Sequence, residues 1–190
     1  LMRLKKHPTN EALNAAKKEL ATTPIIQDTS CKRLADETLA RSPKWAWSYL
    51  LILLQRNRIS MATDFLSSPF AKTILQAKDI APVISKPKIW YTKNKKRLSR
   101  IPATRLAVAA LCLAATDTDA AAQVASVAAK RLGPMTRTLV WGRIGYLAAL
   151  NHDPKALSYY ARAGSTLKDN PLLINKDAVL AWHVRAGLHV

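Results

Sequence analysis

Apolar residues recur at helical spacing along most of the chain, most clearly over residues 134–164. In the first half of this stretch they lie three and four positions apart, which places them on one face of a helix. An Asn-His-Asp-Pro break follows, where Asp153 is expected to cap a second helix that begins at Pro154 and ends at Gly164. The stretch therefore predicts a helical hairpin with these residues facing inward: Val140, Trp141, Ile144, Leu147, Ala148, Ala156, Leu157, Tyr160 and Ala163.

Small and aromatic residues alternate within this hairpin in a way that predicts close packing. Gly145 is expected to let the second helix approach, while Trp141 and Tyr160 fill the space beside it. A single hairpin cannot bury both of its apolar faces, so the pattern predicts neighbouring hairpins. We therefore interpret its aromatic residues as core residues rather than catalytic ones.

An earlier stretch repeats the design. Ser42 and Pro43 are expected to open a helix that contains a largely buried Trp47 and ends near Asn57, and residues 59–66 form its partner helix. Two shorter helices are expected upstream, at residues 9–20 and 30–40. Residues 70–77 are expected to form a further short helix.

Three more helices are predicted in the second half of the chain. Residues 102–116 are strongly apolar and predict the most buried helix, and Asp117 is expected to cap its successor. Lys130 and Arg131 suit the end of that successor, where cations favour the helix dipole. A last helix is expected over residues 178–188. The sequence thus predicts an all-α fold, one domain over residues 1–190 in which antiparallel helical hairpins stack into a superhelix.

Composition adds a strong positive charge. The chain has 30 basic and 12 acidic residues, a net charge of +18. Such an excess favours a polyanionic partner, which could be nucleic acid, an anionic membrane or an anionic cell-wall polymer. A solubilising surface is the alternative, and charge alone does not distinguish these.

The charge is most concentrated in residues 70–101, which we expect to form an irregular basic connection because Pro82 and Pro87 interrupt them. No acidic residue occurs between Asp79 and Asp117. Either the segment grips an anionic polymer with help from Trp90 and Tyr91, or it is a solvated helix face, and we favour the second interpretation for the aromatic residues. In that case Ile89, Trp90 and Leu98 would anchor it to the core. The candidate polyanion-binding residues are Lys86, Lys88, Lys93, Lys95, Lys96, Arg97 and Arg100.

The sequence offers no recognisable catalytic, metal or cofactor motif. There is no phosphate-binding glycine loop, no HExxH, no CxxC and no GxSxG, and the histidines are scattered. Cys31 and Cys112 could form one bridge or remain buried thiols. The longest apolar run, residues 106–115, is shorter than the roughly 20 residues that span a bilayer. No signal peptide opens the sequence, which starts at Leu1, so we expect it to be a piece of a longer protein.

Two segments resemble the superhelical region of soluble lytic murein transglycosylases. They are LVWGRIGYLAALNHDPKALSYYARAG and VLAWHVRAGL, which are similar to the family patterns AWGxxG, PxALxYY and WxxRAAL. The stretch CKRLADETLARSPKWAWSYLLILLQRNRISMATDFLSSPF resembles the family's Cys-x-x-Leu helix and the hairpin after it, so the likeness covers about residues 30–190. The matching residues are Trp141, Gly142, Gly145, Pro154, Ala156, Leu157, Tyr159, Tyr160, Trp182, Arg185, Ala186 and Leu188.

The resemblance implies a noncatalytic scaffold in the periplasm. In the family, a helical superhelix carries a lysozyme-like domain whose catalytic Glu precedes Ser and which cleaves peptidoglycan without water. Here Glu11, Glu19 and Glu37 precede Ala, Leu and Thr, and the GLMQ and AYNAGP-type segments are missing. The partner would be peptidoglycan or the missing catalytic domain. Two alternatives stay open: a free-standing helical-repeat adaptor that binds a peptide or protein, and a basic helical-repeat protein that binds nucleic acid.

Overall fold

The computed structural model describes residues 43–173 and 175–188, and every regular element in these residues is helical. The predicted all-α class is thus confirmed for this part of the chain. Among the helices described, none combines the length and apolarity that a bilayer crossing requires. The helices expected at residues 9–20 and 30–40, with Cys31 and the cap at Ser42, lie outside the described residues. The α-helices are α1 Pro43–Gln55, α2 Ile59–Ser67, α3 Pro69–Ile74, α4 Ala77–Ser85, α5 Pro87–Asn94, α6 Ala103–Ala114, α7 Thr118–Ala128, α8 Pro134–Leu150, α9 Ala156–Ala163 and α10 Lys176–Leu188.

Two helical hairpins form the second half of the structure. Helix α6 folds back on α7, α8 folds back on α9, and α8 also packs against α6, α7 and α10. The cap between α6 and α7 is the predicted one, because Asp117 Oδ1 accepts a hydrogen bond of 2.9 Å from the Ala120 N–H. These contacts confirm the individual hairpins, while their continuation into a superhelix stays a prediction.

Helix α6 lies at the centre of the core. All nine residues from Leu106 to Ala114 are buried, because α4, α7, α8, α1 and α5 surround the helix. Five of these nine are Ala or Cys, and such small side chains let several helices approach one axis. Among the helices that the structure describes, α6 is thus the most buried, as predicted.

One contact joins parts of the chain that are far apart in sequence. The buried Gln55 at the end of α1 donates a hydrogen bond of 2.9 Å from Nε2 to the carbonyl oxygen of Leu172, 117 residues away. In a linear stack of repeats each unit touches only its neighbours. Helix α1 therefore contacts the segment that follows the α8–α9 hairpin, and not only the helices next to it in sequence.

The hairpin of α8 and α9 has the close contact that the sequence predicted. A Cβ atom added at Gly145 would lie 2.9 Å from Cγ of Tyr160, so only glycine fits there. Trp141 and Tyr160 are 2% and 1% exposed. Gly164 ends α9 with a φ of +79°, which favours glycine. The expected helix start at Pro154 is wrong, because Asp153 Oδ1 accepts from the Lys155 N–H and closes a turn, and α9 begins only at Ala156.

Replacing Gly145 with alanine should destabilise the protein although alanine is the better helix former. Overpacking against the Tyr160 ring costs about 1–3 kcal/mol. Alanine in place of glycine gains about 1 kcal/mol in helix propensity, so the cost of overpacking outweighs the gain. The matched control is Gly187→Ala in α10, since a Cβ there meets nothing within 4 Å. Urea unfolding should show a lower midpoint for the first variant only. Equal behaviour of the two variants would contradict the close contact.

Other inward positions are less buried than expected. Leu147 and Leu157 are only partly buried, and Leu147 packs against the edge of the core. They lie where the apolar face of their helix meets the surface. Trp47 is partly buried and packs against the core, which agrees with the largely buried position expected for it.

The segment that we expected to be irregular is helical. Residues 70–101 contain most of α3, all of α4 and α5, and a short 3₁₀ turn, Leu98–Arg100. Pro82 lies inside α4, where it removes one backbone hydrogen bond, and Pro87 occupies the first turn of α5, where none is needed. Burial of Ile80, Val83 and Ile84 on the apolar face of α4 offsets the cost of Pro82.

Cys112 is a free thiol buried in α6. Burial raises its pKa to about 12 because a thiolate would be desolvated there. Of the two possibilities that the sequence left open for Cys112, a bridge and a buried thiol, the structure shows the buried thiol.

Alkylation of Cys112 by iodoacetamide should therefore report on unfolding. Near pH 7.5 a thiol with a pKa of about 12 has roughly a thousandth of the thiolate of an unfolded cysteine, whose pKa is about 8.5. In a Cys31→Ser background the native protein should react about three orders of magnitude more slowly than in denaturant. Mass spectrometry of the tryptic peptide measures this, and rapid alkylation of the native protein would contradict the burial.

Candidate polyanion interface

The seven basic residues of the predicted interface lie on α5, at the residue that precedes it and on the turn that follows it. All seven side chains are exposed, and none forms an ion pair with a carboxylate of the described residues. We call this set the basic surface: Lys86, Lys88, Lys93, Lys95, Lys96, Arg97 and Arg100. These residues are close in space because they are close in sequence, as predicted.

Two pairs of residues attach the basic surface to the core. Leu98 and Ile101 are buried at 7% and 8% exposure and fix the turn Leu98–Arg100. Trp90 and Tyr91 are partly buried against the core. The Tyr91 hydroxyl donates to Oε1 of Gln123 on α7, at 2.5 Å. These aromatic residues attach α5 to the core, as the favoured interpretation required.

Ile89 is the exception among the predicted anchors. It is 52% exposed, so its assignment as a core contact is wrong. The physical reason is its position on α5, which contacts α4 and α6 through Trp90 and Tyr91 and has no fully buried residue. An apolar side chain thus lies exposed between Lys88 and Lys93.

No acidic residue near it in the sequence is available to neutralise the positive charge of the basic surface. The acidic residue that precedes it, Asp79, already binds Arg105, with 2.5 Å between the carboxylate and guanidinium atoms. No acidic residue follows until Asp117. Like charges at this density repel one another, and a polyanion relieves that repulsion by replacing many separate counterions.

Arg131 extends the basic surface in a way that sequence reasoning missed. Its Nη1 donates a hydrogen bond of 2.8 Å to the carbonyl oxygen of Ile101, the residue after Arg100. The sequence suggested only that Arg131 suits a helix end. Its position, 30 residues from Ile101, depends on how α7 packs on the turn, and no local signal gives that.

A second charged cluster, around Asp119, resembles a catalytic site but has a structural role. Asp119 on α7 accepts hydrogen bonds from Nζ of Lys155 at 2.8 Å and from the Tyr159 hydroxyl at 2.9 Å. The bond from Lys155, and then that from Tyr159, lowers the pKa of the Asp119 carboxyl. A general acid needs the opposite shift. The cluster ties α7 to α9, and in the part of the chain that the structure describes no group of metal-ligating residues occurs.

The described residues thus define an all-α protein of packed helical hairpins with an exposed basic surface on one side. Comparison of the chain with family models, with curated proteins and with solved structures gives no match.

Proposed function

We propose that this chain is a noncatalytic helical scaffold that binds an anionic polymer through the basic surface. The observation that carries the proposal is the presence of seven exposed basic residues in fifteen positions without any carboxylate partner among the described residues. Ordinary solubilisation does not need charges of one sign concentrated in this way, because dispersed charges of both signs serve it equally well.

The polymer we propose is peptidoglycan, met in the periplasm by the superhelical part of a lytic transglycosylase. Support comes from the resemblance, whose motif residues Trp141, Gly145 and Tyr160 are core residues that hold α8 against α9. Such residues carry a scaffold role and no catalytic one. Peptidoglycan bears carboxylates along its stem peptides, which exposed ammonium and guanidinium groups attract.

Cosedimentation with purified sacculi across a salt series tests the proposal. Changing Lys93, Lys95, Lys96 and Arg97 to Ser should weaken binding by between about 4-fold and 1,000-fold, taking about 0.2–1 kcal/mol for each exposed charge contact. Binding of the unchanged chain should fall steeply as salt rises, because exposed charges are screened.

A second set of substitutions provides the matched control. Lys72, Arg137, Lys168 and Lys176 are exposed residues outside the basic surface, and changing them to Ser removes the same number of lysines and arginines. That variant has the same net charge as the first, so its binding should fall much less. Equal losses would show that only bulk charge matters, and full binding by the first variant would overturn the assignment of the surface.

Two further outcomes would change the proposed class. Release of anhydro-muropeptides by this chain would overturn the noncatalytic role. Salt-sensitive gel shift with RNA, without cosedimentation with sacculi, would instead favour the nucleic-acid alternative that has the same basic surface.

A further inference from the structure

A cleft lies where the loop between α8 and α9 faces α10. Its volume is about 420 Å³, within the range of small-molecule sites. Pro154 and Leu157 line one side, and Trp182 and Ala186 line the other. The cleft is formed by α8, α9 and α10, whereas the basic surface lies at α5, so the two are separate sites.

Arg185 contributes a positive charge to this cleft. Its guanidinium carbon lies 5.1 Å from the centroid of the Trp182 ring, so the cation rests on the aromatic face. The residue is exposed, and no carboxylate of the described residues pairs with it. Stacking occupies the face of a guanidinium but leaves its in-plane N–H donors available, and these match a carboxylate in a bidentate pair.

The loop that forms the other wall has a fixed backbone. His152 has a φ of +54°, although it is not glycine, and its ring lies edge-on to Trp182 with 6.3 Å between centroids. The N–H groups of His152 and Asp153 donate to the carbonyl oxygens of Ala149 and Ala148 at 3.0 and 2.9 Å. These bonds close the C-terminus of α8 in a left-handed cap and so fix the backbone of the loop beside the cleft.

The other charged groups facing the cleft limit the charge of a ligand. The Asp153 carboxylate also lines the cleft and accepts a hydrogen bond from the Lys155 N–H. The Lys155 ammonium is bound to Asp119 and so does not serve as a second free cation. Among the described residues Arg185 is the one unpaired cation at the cleft, and the Asp153 carboxylate lies nearby, so the cleft suits a single negative charge better than a doubly charged phosphate.

We infer that this cleft binds a small molecule that carries one carboxylate on a compact ring or apolar body. The carboxylate pairs with Arg185, and the body lies between Trp182 and Leu157. Both parts are needed, because an exposed charge pair by itself contributes little.

Benzoate and its uncharged amide, benzamide, are the matched probes for the full chain. Two-dimensional NMR would follow the indole N–H signal of Trp182, assigned with Trp182→Phe. Benzoate should give a saturable shift, whereas benzamide should bind about 2- to 5-fold more weakly, because the charge pair that it lacks is exposed to solvent. Arg185→Gln should weaken benzoate binding by the same factor.

Arg162→Gln is the control variant, because Arg162 also stacks on a tryptophan, at 4.9 Å from the Trp141 ring, but lies outside the cleft. It should bind benzoate as the unchanged chain does. Leu157→Trp should fill the cleft and abolish binding with Arg185 in place. The inference is overturned if benzoate gives no saturable shift, if benzamide binds equally well, or if Arg185→Gln or Leu157→Trp leaves binding intact. None of these outcomes bears on cosedimentation with sacculi.

Discussion

Replacement of Trp141 by alanine should lower the free energy of unfolding by about 3–5 kcal/mol. The side chain is 2% exposed, and its ring stacks on Tyr159 with 6.0 Å between centroids. The Arg162 guanidinium covers the ring at 4.9 Å. Truncation would thus leave a cavity between α8 and α9 and remove the surface on which Arg162 rests.

Thermal unfolding followed by circular dichroism measures this effect. For a chain of this size each kcal/mol corresponds to about 2–4 °C, so the midpoint should fall by about 6–20 °C. Trp182→Ala is the matched control, since that ring is only partly buried and should cost clearly less. An unchanged midpoint for Trp141→Ala would show that the ring is not a core residue.

Replacement of Tyr160 by alanine should be about as costly, again about 3–5 kcal/mol. Tyr160 is 1% exposed, fills the space over Gly145 and stacks on His183 with 4.5 Å between ring centroids. Its hydroxyl donates a hydrogen bond of 3.1 Å to the carbonyl oxygen of Val179 on α10. One side chain therefore joins three helices, and its loss should loosen α10 from the α8–α9 hairpin.

Tyr160→Phe separates the hydroxyl from the ring. It keeps the packing and removes one buried hydrogen bond, so it should cost about 0.5–1.5 kcal/mol. Urea unfolding of both variants gives the two values. A phenylalanine variant as unstable as the alanine variant would contradict the assignment of most of the stability to the ring.

Helix type and many helix ends could be predicted because their causes are local. Asp117 caps α7 through its own side chain, and Asn57 ends α1 with a φ of +54°, a conformation that asparagine tolerates. Neither feature needs a distant residue. The prediction at Pro82 failed for the opposite reason, since a proline penalty is local but the burial that outweighs it is not.

The basic surface was also predictable, because exposed charges adjacent in sequence stay adjacent in space. Which apolar residues anchor it was predicted only in part, because Trp90 and Leu98 were assigned correctly and Ile89 was not. Leu98 is buried and Ile89 is exposed, although both lie among basic residues. Their difference depends on where α5 and the next turn meet α6 and α7, and hydrophobicity alone gives no sign of it.

Local sequence is enough to predict the helical class, the hairpins of the second half, the close approach at Gly145 and the concentration of positive charge, because helical periodicity, capping chemistry and residue size act over a few positions. The remaining features depend on tertiary packing. It places Arg131 against the turn that carries Arg100, joins Gln55 to Leu172 and sets Arg185 opposite the loop at His152. These pairs lie far apart in sequence, and they depend on crossing angles between helices that are fixed by the packing of the whole core.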